Sequence, residues 1–160
     1  ALARPLRMAD LNDDDRQALR TGSFQIRPDC REIGGRAIFF SCMGARNYTT
    51  VDNHFRASFY ILMYHLERDV SSQRRGLVLI AYLMDLDVNL LVRESKLNRR
   101  APIVMSSIPM RATTTHMCFN SSKVPNLLKM AASFMPEDFR VRQVIHFGSH
   151  LECQYKLFQV

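Results

Sequence analysis

The stretch Leu77-Val78-Leu79-Ile80-Ala81-Tyr82-Leu83 (residues 77–83) decides the fold of this 160-residue sequence. Its seven residues are apolar without interruption, so a strand formed there has to be buried on both faces. Such strands are typical of parallel sheets, because crossover helices cover a parallel sheet on both sides. The stretch therefore predicts a strand in the middle of an α/β sheet.

On the amino-terminal side of this strand, helix and strand patterns alternate. Acidic residues before an Arg and a Gly predict a short helix over residues 12–20. Residues 23–27 and 37–42 read as strands, and Gly34-Gly35 between them is typical of a hairpin turn. Apolar residues at helical spacing then predict a helix over residues 53–66, followed by a polar break over 71–76.

The carboxyl-terminal side continues the alternation. Helices are predicted over residues 88–97 and 102–107, a threonine-rich strand over 110–118 and an amphipathic helix over 122–134. A strand over 141–147 and a terminal helix complete the chain. Alternating strands and helices imply right-handed crossovers, so we expect a mixed, mostly parallel sheet flanked by helices, with an opening hairpin.

Composition and charge narrow the class of protein. The length suits one domain, and no apolar run approaches the roughly 20 residues that span a bilayer. The net charge is +7, and it is uneven along the chain. Residues 88–160 carry ten basic and four acidic side chains, a net charge of +6. This half is expected to attract an anionic surface, with phosphate as the obvious chemical group.

The histidines and cysteines do not predict a metal site, a cofactor or an enzyme. His146 and His150 have a helical metal-ligand spacing, but Gly148 lies between them at a strand end. His116 and Cys118 fit a packed core better than a nucleophile and its base. The four cysteines lack C-x-x-C spacing, so we expect reduced thiols and a cytoplasmic protein.

The arginines offer candidate anion sites. Arg140 and Arg142 alternate along a strand, so their guanidinium groups point to one side and suit a single phosphate. Arg74-Arg75 and Arg99-Arg100 read as solvated loop charges. Trp is absent and most Phe residues belong to core stripes, so a nucleic-acid surface with exposed aromatic residues is not expected.

Three segments together resemble a known family. Residues 108–120 (IPMRATTTHMCFN), the amphipathic helix after them and residues 140–149 (RVRQVIHFGS) resemble the CRAL-TRIO lipid-binding domain, a family of phosphatidylinositol, tocopherol and retinaldehyde carriers. Gly35-Arg36 matches the family's first core strand, and the likeness covers roughly residues 22–155. Residues 1–21 then form a helical lead-in and 22–160 the lipid-binding domain, without the family's closing segment. Tyr82 stands where the family usually has an Asp.

The resemblance implies a non-enzymatic function, in which a ligand is bound and released unchanged. Residues 123–135 would form a gate helix over an apolar cavity, which exchanges a hydrophobic lipid with an anionic membrane. The expected cavity residues are Phe39, Leu79, Ala81, Thr114, His116, Val124, Leu127, Leu128, Ala131 and Phe134. The expected headgroup or phosphate contacts are Arg111, Arg140 and Arg142. A phospholipid or a tocopherol-like or retinoid-like ligand would suit this lining, and we expect a monomer without cofactor.

Two other functions stay open at this point. A domain of the same fold with a reduced cavity would serve as a protein-interaction module, for example in regulation of a small GTPase. An arginine-rich nucleic-acid binder would instead lose affinity steeply as salt rises. An apolar cavity of about 300–1,000 Å³ would favour the lipid carrier.

Overall fold

Five strands form one sheet whose spatial order follows the chain. The computed structural model describes residues 6–42, 51–85, 111–122 and 141–159. The strands are β1 (Phe24–Arg31), β2 (Ala37–Cys42), β3 (Leu77–Tyr82), β4 (Ala112–Phe119) and β5 (Gln143–Phe147). The pair β1 and β2 is antiparallel, and β2 to β5 run parallel. The predicted fold class, a mixed and mostly parallel sheet with flanking helices, is confirmed.

Helices accompany the strands within the described ranges. They are a single 3₁₀ turn (Met8–Asp10) and the α-helices α1 (Asp13–Arg20), α2 (Val51–Arg68), α3 (Val70–Arg75) and α4 (His150–Leu157). The helices predicted near residues 12–20 and 53–66 and the terminal helix are therefore confirmed. Those predicted over 88–97 and 102–107 lie outside the described residues, as does the helix predicted over 122–134 except for its first residue.

The opening hairpin turns at the predicted glycines. The N–H of Gly35 donates to the carbonyl oxygen of Glu32 at 2.8 Å. Gly35 has a φ of +80°, a backbone conformation that glycine adopts without steric cost. The two strands pair from Phe24 opposite Ser41 to Arg31 opposite Ala37. The hairpin prediction is confirmed.

Helix α1 begins at a capping box and is fastened to α2. The Asn12 side chain accepts the N–H of Asp15 at 2.7 Å, and the Asp15 carboxylate accepts the N–H of Asn12 at 3.0 Å. Asp15 is fully buried, where it also accepts hydrogen bonds from Asn53 Nδ2 (2.8 Å) and Arg56 Nε (2.9 Å). Burial alone would raise the pKa of Asp15, but these hydrogen bonds outweigh it and lower the pKa.

One local prediction was wrong. The segment 71–76, interpreted as a polar break, contains α3. The Asp69 carboxylate caps this helix by accepting the N–H groups of Ser71 (2.9 Å) and Ser72 (3.2 Å). Gly76 then ends α3 and β3 starts at the next residue. The helix has six residues and depends on its cap, so the sequence shows no apolar stripe to reveal it.

The sheet has two faces that different helices cover. Phe39 and Leu79 lie opposite each other on the first face, where α2 packs. The buried cluster there contains Ala18, Phe24, Ala37, Phe39, Ala57, Leu62, Leu66, Leu77 and Leu79. Ile80 and Tyr82 alternate with Leu79, so they lie on the second face. Helix α4 packs on this second face through Cys153, which is buried with Cys118 and Met84.

β3 is the central strand, as residues 77–83 predict. It pairs with β2 on one side and β4 on the other, and Leu77 to Ile80 are all buried. Among the helices that the structure describes, none has the length and hydropathy to cross a lipid bilayer.

Candidate functional site

The predicted cavity residues that the structure describes do not share one face of the sheet. Phe39, Leu79 and Ala81 lie on the first face, and the first two belong to the core beneath α2. Thr114 pairs with Val78 and His116 with Ile80, so both lie on the second face. One cavity can therefore be lined by only one of these two sets.

A register shift between β3 and β4 causes the division. Leu77 pairs with Ala112 but Val78 pairs with Thr114, so Thr113 is an extra residue in the ladder. An unbroken register would have placed Thr114 opposite Leu79, and all five residues on one face. A one-residue shift moves side chains to the other face, because their direction alternates along a strand.

The other predicted site residues separate into described and undescribed ones. Arg111 is exposed directly before β4, and its carbonyl oxygen accepts the N–H of Leu77 at 3.0 Å. Arg142 is half-buried directly before β5, and its carbonyl oxygen accepts the N–H of Thr115 at 2.9 Å. Both arginines thus lie at the amino edge of neighbouring parallel strands. The gate residues Val124, Leu127, Leu128, Ala131 and Phe134, and Arg140, lie outside the described residues.

An open groove with a volume of about 860 Å³ lies between β1 and α2. We call it the β1–α2 groove. Most of its surface is apolar, from β1, α2, α1 and the 3₁₀ turn. These residues are Met8, Leu19, Phe24, Ile26, Pro28, Tyr60, Ile61 and Tyr64. The Tyr60 and Tyr64 rings lie 5.8 Å apart, one helical turn from each other on α2.

Charged side chains line the rest of the groove. Arg31 donates to Asp69 at 2.9 Å, and this bond contributes most to lowering the pKa of Asp69 to about 2. The Arg68 guanidinium lies 3.5 Å from the centre of the Tyr64 ring, a cation–π contact. Arg27 is paired with Asp29 at 2.9 Å on the surface. The groove therefore joins an apolar floor to a rim of arginines.

None of these lining residues was among the predicted site residues. The apolar stripe that predicts α2 indicates its core-facing side, whereas Tyr60, Ile61 and Tyr64 lie on the groove side. The one available signal was the Tyr60 and Tyr64 pair at a spacing of four residues. An amphipathic tyrosine pair next to arginines has no unique meaning in sequence, so it could not be assigned to a groove.

A cluster of polar side chains, separate from the groove, lies at the carboxyl edge of the sheet, where parallel α/β sheets commonly bind ligands. We call Tyr82, Asp85, Asn120 and His150 the carboxyl-edge cluster. The two ring nitrogens of His150 lie 2.9 Å from Tyr82 Oη (Nδ1) and 2.9 Å from Asp85 Oδ2 (Nε2). Asn120 Nδ2 donates to Asp85 Oδ1 at 2.7 Å. Asp85 has a φ of 55°, a left-handed conformation uncommon outside glycine.

Hydrogen bonds within this cluster stabilise the charged form of Asp85. The bond from Asn120 and then that from His150 lower the pKa of Asp85, so its carboxylate is ionised and accepts the Nε2–H of His150. Burial raises the pKa of the Tyr82 hydroxyl, whose oxygen lies 2.9 Å from His150 Nδ1. The polar groups satisfy one another and tie β3, β4 and α4 together, which is a structural role. Asn120 directly follows β4 and Asp85 lies three residues after the end of β3, a pattern that the sequence analysis did not use.

His116 and His146 form a separate buried pair on the second face. His116 Nδ1 and His146 Nε2 lie 2.8 Å apart, and the rings are nearly parallel. His146 faces His116 whereas His150 faces Asp85, so His146 and His150 do not converge on one point. In the described parts of the chain, no three His, Cys, Asp or Glu side chains are arranged to hold a metal ion.

Comparison of the sequence with models of known families and with curated proteins finds no match.

Proposed function

We propose that this protein binds a hydrophobic lipid without changing it chemically and docks on anionic membrane surfaces. The observation that carries the proposal is the β1–α2 groove, which joins an apolar floor to arginines. The likeness of residues 108–120 and 140–149 to the CRAL-TRIO family supports the same function. The groove lies at the β1 side of the sheet and is lined by none of the predicted cavity residues, so it is a separate candidate from the predicted cavity.

The size and lining of the groove suit an acyl chain or an isoprenoid ring system. Its volume of about 860 Å³ lies within the roughly 300–1,000 Å³ of ligand pockets. Ile26, Pro28 and Tyr64 offer aliphatic and aromatic surface. Transfer of each lipid methylene group from water into the groove is favourable by about 0.8 kcal/mol and requires no hydrogen-bond partner.

The rim of the groove suits the polar end of such a ligand. Arg31 is neutralised by Asp69, while Arg68 lies over the Tyr64 ring, donates to the Tyr64 carbonyl oxygen at 3.0 Å and is paired with Glu67 at 3.6 Å. Arg27 is paired only with a carboxylate that is itself exposed, a type of ion pair worth little energy. Arg27 can therefore turn toward a carboxylate or a phosphate at the groove mouth at small cost, whereas Arg68 would give up its contacts with Tyr64 and Glu67 to do so.

A second candidate is binding of a protein segment. In the described sheet β1 is an edge strand and has β2 as its strand partner. An edge strand can accept an extended peptide as an additional strand. The side chains of such a peptide could enter the β1–α2 groove, as the interaction-module alternative requires.

Native mass spectrometry with a fluorescent acyl-chain phospholipid as probe tests the proposal. Wild type is compared with Ile61→Trp, which fills the groove, and with Val70→Trp, which adds the same side chain at an exposed position of α3 outside the groove. We expect a lipid-loaded mass for wild type and Val70→Trp and its loss for Ile61→Trp. Thermal unfolding confirms that both variants are folded.

Two results would overturn the proposal. One is wild-type protein that never retains the probe or a co-purified lipid. The other is equal retention of the probe by Ile61→Trp and by wild type, which would show that the lipid binds outside the groove. Binding of an extended peptide that lipid does not displace would favour the second candidate.

A further inference from the structure

Two of the four cysteines lie side by side beneath α4. Cys118 on β4 and Cys153 on α4 are both fully buried, and they belong to one cluster with Met84. We call Cys118 and Cys153 the thiol pair. A buried thiol packs like other small apolar side chains, but two thiols in contact can also form a covalent bond.

Hydrogen bonds place the Cys153 sulfur next to Cys118. Cys153 Sγ donates to the carbonyl oxygen of His146 at 3.6 Å and lies 4.0 Å from that of Gly148. His146 is the residue of β5 directly opposite Cys118. The Cys153 sulfur therefore lies over the strand position beside Cys118, and the Cys118 thiol is hydrogen-bonded to it.

The other two cysteines are too far away to compete. Cys42 and Cys118 each pair with Tyr82, from opposite sides of β3. They are two strand spacings apart, roughly 9–10 Å, whereas a disulfide needs Cα atoms within about 7 Å. Cys30 lies on β1 near the hairpin turn, at the opposite edge of the sheet. Of the four cysteines, the thiol pair alone is placed to form a disulfide without movement of the strands.

Burial keeps the thiol pair reduced while α4 is closed. It raises the pKa of Cys118 to about 12, and the neighbouring Cys153 side chain adds to this effect. The thiolate is the form that reacts with oxidants, so a buried thiol of this kind is slow to react. An oxidant reaches the two sulfurs when α4 moves away from the sheet.

The contacts of α4 allow such movement. The hydrogen bonds of His150 with Tyr82 and Asp85, each at 2.9 Å, are exposed to solvent. On the side facing the sheet, Cys153 is fully buried and Leu157 is partly buried. Elements with few buried apolar contacts open locally at a lower free energy than the whole protein unfolds. We expect α4 to open while the sheet stays folded.

We propose that Cys118 and Cys153 form a reversible disulfide when the protein meets a hydroperoxide, and that this bond locks α4 onto β4. One sulfur, as thiolate, attacks a peroxide oxygen, which breaks the O–O bond, releases hydroxide and leaves a sulfenic acid. After α4 closes, the second sulfur attacks the first, the S–S bond forms and the sulfenic oxygen leaves as water. In total two thiols lose two electrons and two protons, and hydrogen peroxide is reduced to two water molecules.

The bond would change both the folded and the unfolded protein. It would close residues 119–152 into one covalent loop. Closing a loop reduces the conformational freedom of the unfolded chain, so the folded state becomes more stable. In the folded protein the same bond would prevent the opening of α4. The inference goes beyond the proposed lipid binding and does not depend on it.

Peptide mapping after peroxide treatment tests the proposal. The reduced protein is treated with hydrogen peroxide, once folded and once in urea, and the remaining thiols are then alkylated. We expect the folded protein to yield one linked pair of peptides, Cys118 with Cys153, two hydrogens lighter than the two free peptides together. The urea sample should yield mixed pairings. Cys30, which is exposed, should become a sulfinic or sulfonic acid in the folded protein.

Two alanine variants show whether the bond locks α4. Cys153→Ala removes one sulfur of the thiol pair, and Cys42→Ala removes a thiol two strands away from Cys118. Peroxide should raise the melting temperature of wild type and of Cys42→Ala by about 5–10 °C, and dithiothreitol should reverse the rise. Cys153→Ala should show no rise. Hydrogen exchange of the α4 amides should slow only in the two proteins that form the bond.

Several results would overturn the inference, and wild-type protein alone can give each of them. Cys118 and Cys153 could end as separate sulfinic acids, or the main link could include Cys30 or Cys42. Both buried thiols could also stay reduced after Cys30 is fully oxidised, which would show that α4 does not admit the oxidant. An unchanged melting temperature of the linked protein would show that the bond does not lock α4.

Discussion

Gly76 has a steric role at the junction of α3 and β3. Its φ is +81°, and a Cβ atom there would collide with the carbonyl oxygen of Arg111 and lie 2.9 Å from the Thr113 side chain. The Arg111 oxygen is held in place because it accepts the N–H of Leu77 at 3.0 Å. Only glycine lets β3 start this close to the chain that enters β4.

We therefore predict that Gly76→Ala destabilises the protein more than Gly22→Ala does. Both positions have positive φ, which costs a residue with a Cβ atom about 1–2 kcal/mol. At Gly22 the nearest atom to an added Cβ is 3.4 Å away on the flexible Gln25 side chain, so only that cost applies. Urea unfolding measures both variants, and equal losses of unfolding free energy would contradict the steric account.

The site residues could not be assigned from the sequence alone. Alternation along a strand shows which residues share a face, so Leu79 with Ala81 and Thr114 with His116 are correct pairs. The relation between the two strands depends on Thr113, the extra residue in the ladder. Nothing in three consecutive threonines shows which one will be left unpaired, and that choice decides which side chains share a surface.

Elements with apolar periodicity were predictable, as was α1 from its acidic start and its terminal Arg and Gly, but α3 was not. The strands around residues 77–83 and 110–118 and helix α2 have patterns that follow from burying one or two faces. Helix α3 instead depends on Asp69, which caps it and pairs with Arg31. Its Ser72 hydroxyl donates to Asp69 and contacts His65 at 2.9 Å. His65, Asp69 and Ser72 are close in sequence but show no apolar pattern, and Arg31 comes from β1, so sequence spacing does not reveal its ion pair.

Two substitutions of Asp69 separate the cap from the ion pair. Asp69→Asn keeps an oxygen that can accept the N–H groups of Ser71 and Ser72, but it removes the charge that Arg31 contacts. Asp69→Ala removes both, so we expect an additional loss of about 0.5–2 kcal/mol for the cap. Urea unfolding at neutral pH measures the difference. Equal stability of the two variants would show that the side chain does not cap α3.

The whole molecule should lose stability in mild acid because it holds three histidines neutral. Burial lowers the pKa values of His65, His116 and His146 below the ordinary 6.5. Below pH 6.5 the unfolded chain gains protons that the folded protein does not bind, so the free energy of unfolding falls as pH drops from 6.5 toward the folded pKa values. Above pH 6.5 these histidines make no such contribution to pH dependence.

The double variant His116→Leu and His146→Leu tests this account. Removing the buried pair should flatten the decline of unfolding free energy between pH 7 and about pH 5, whatever it does to stability at pH 7. His65 remains and should retain a smaller decline. Urea unfolding across this range gives the slope, and an unchanged slope would show that the pair is not the source of the acid sensitivity.

The strand order β1-β2-β3-β4-β5 also has a consequence for how the protein is made. Each strand pairs with the one synthesised just before it, so a nascent chain leaving the ribosome can add strands one at a time. None of the five described strands has to insert later between two that are already paired. The fold is thus suited to vectorial assembly, in which the amino-terminal hairpin serves as the template while translation continues.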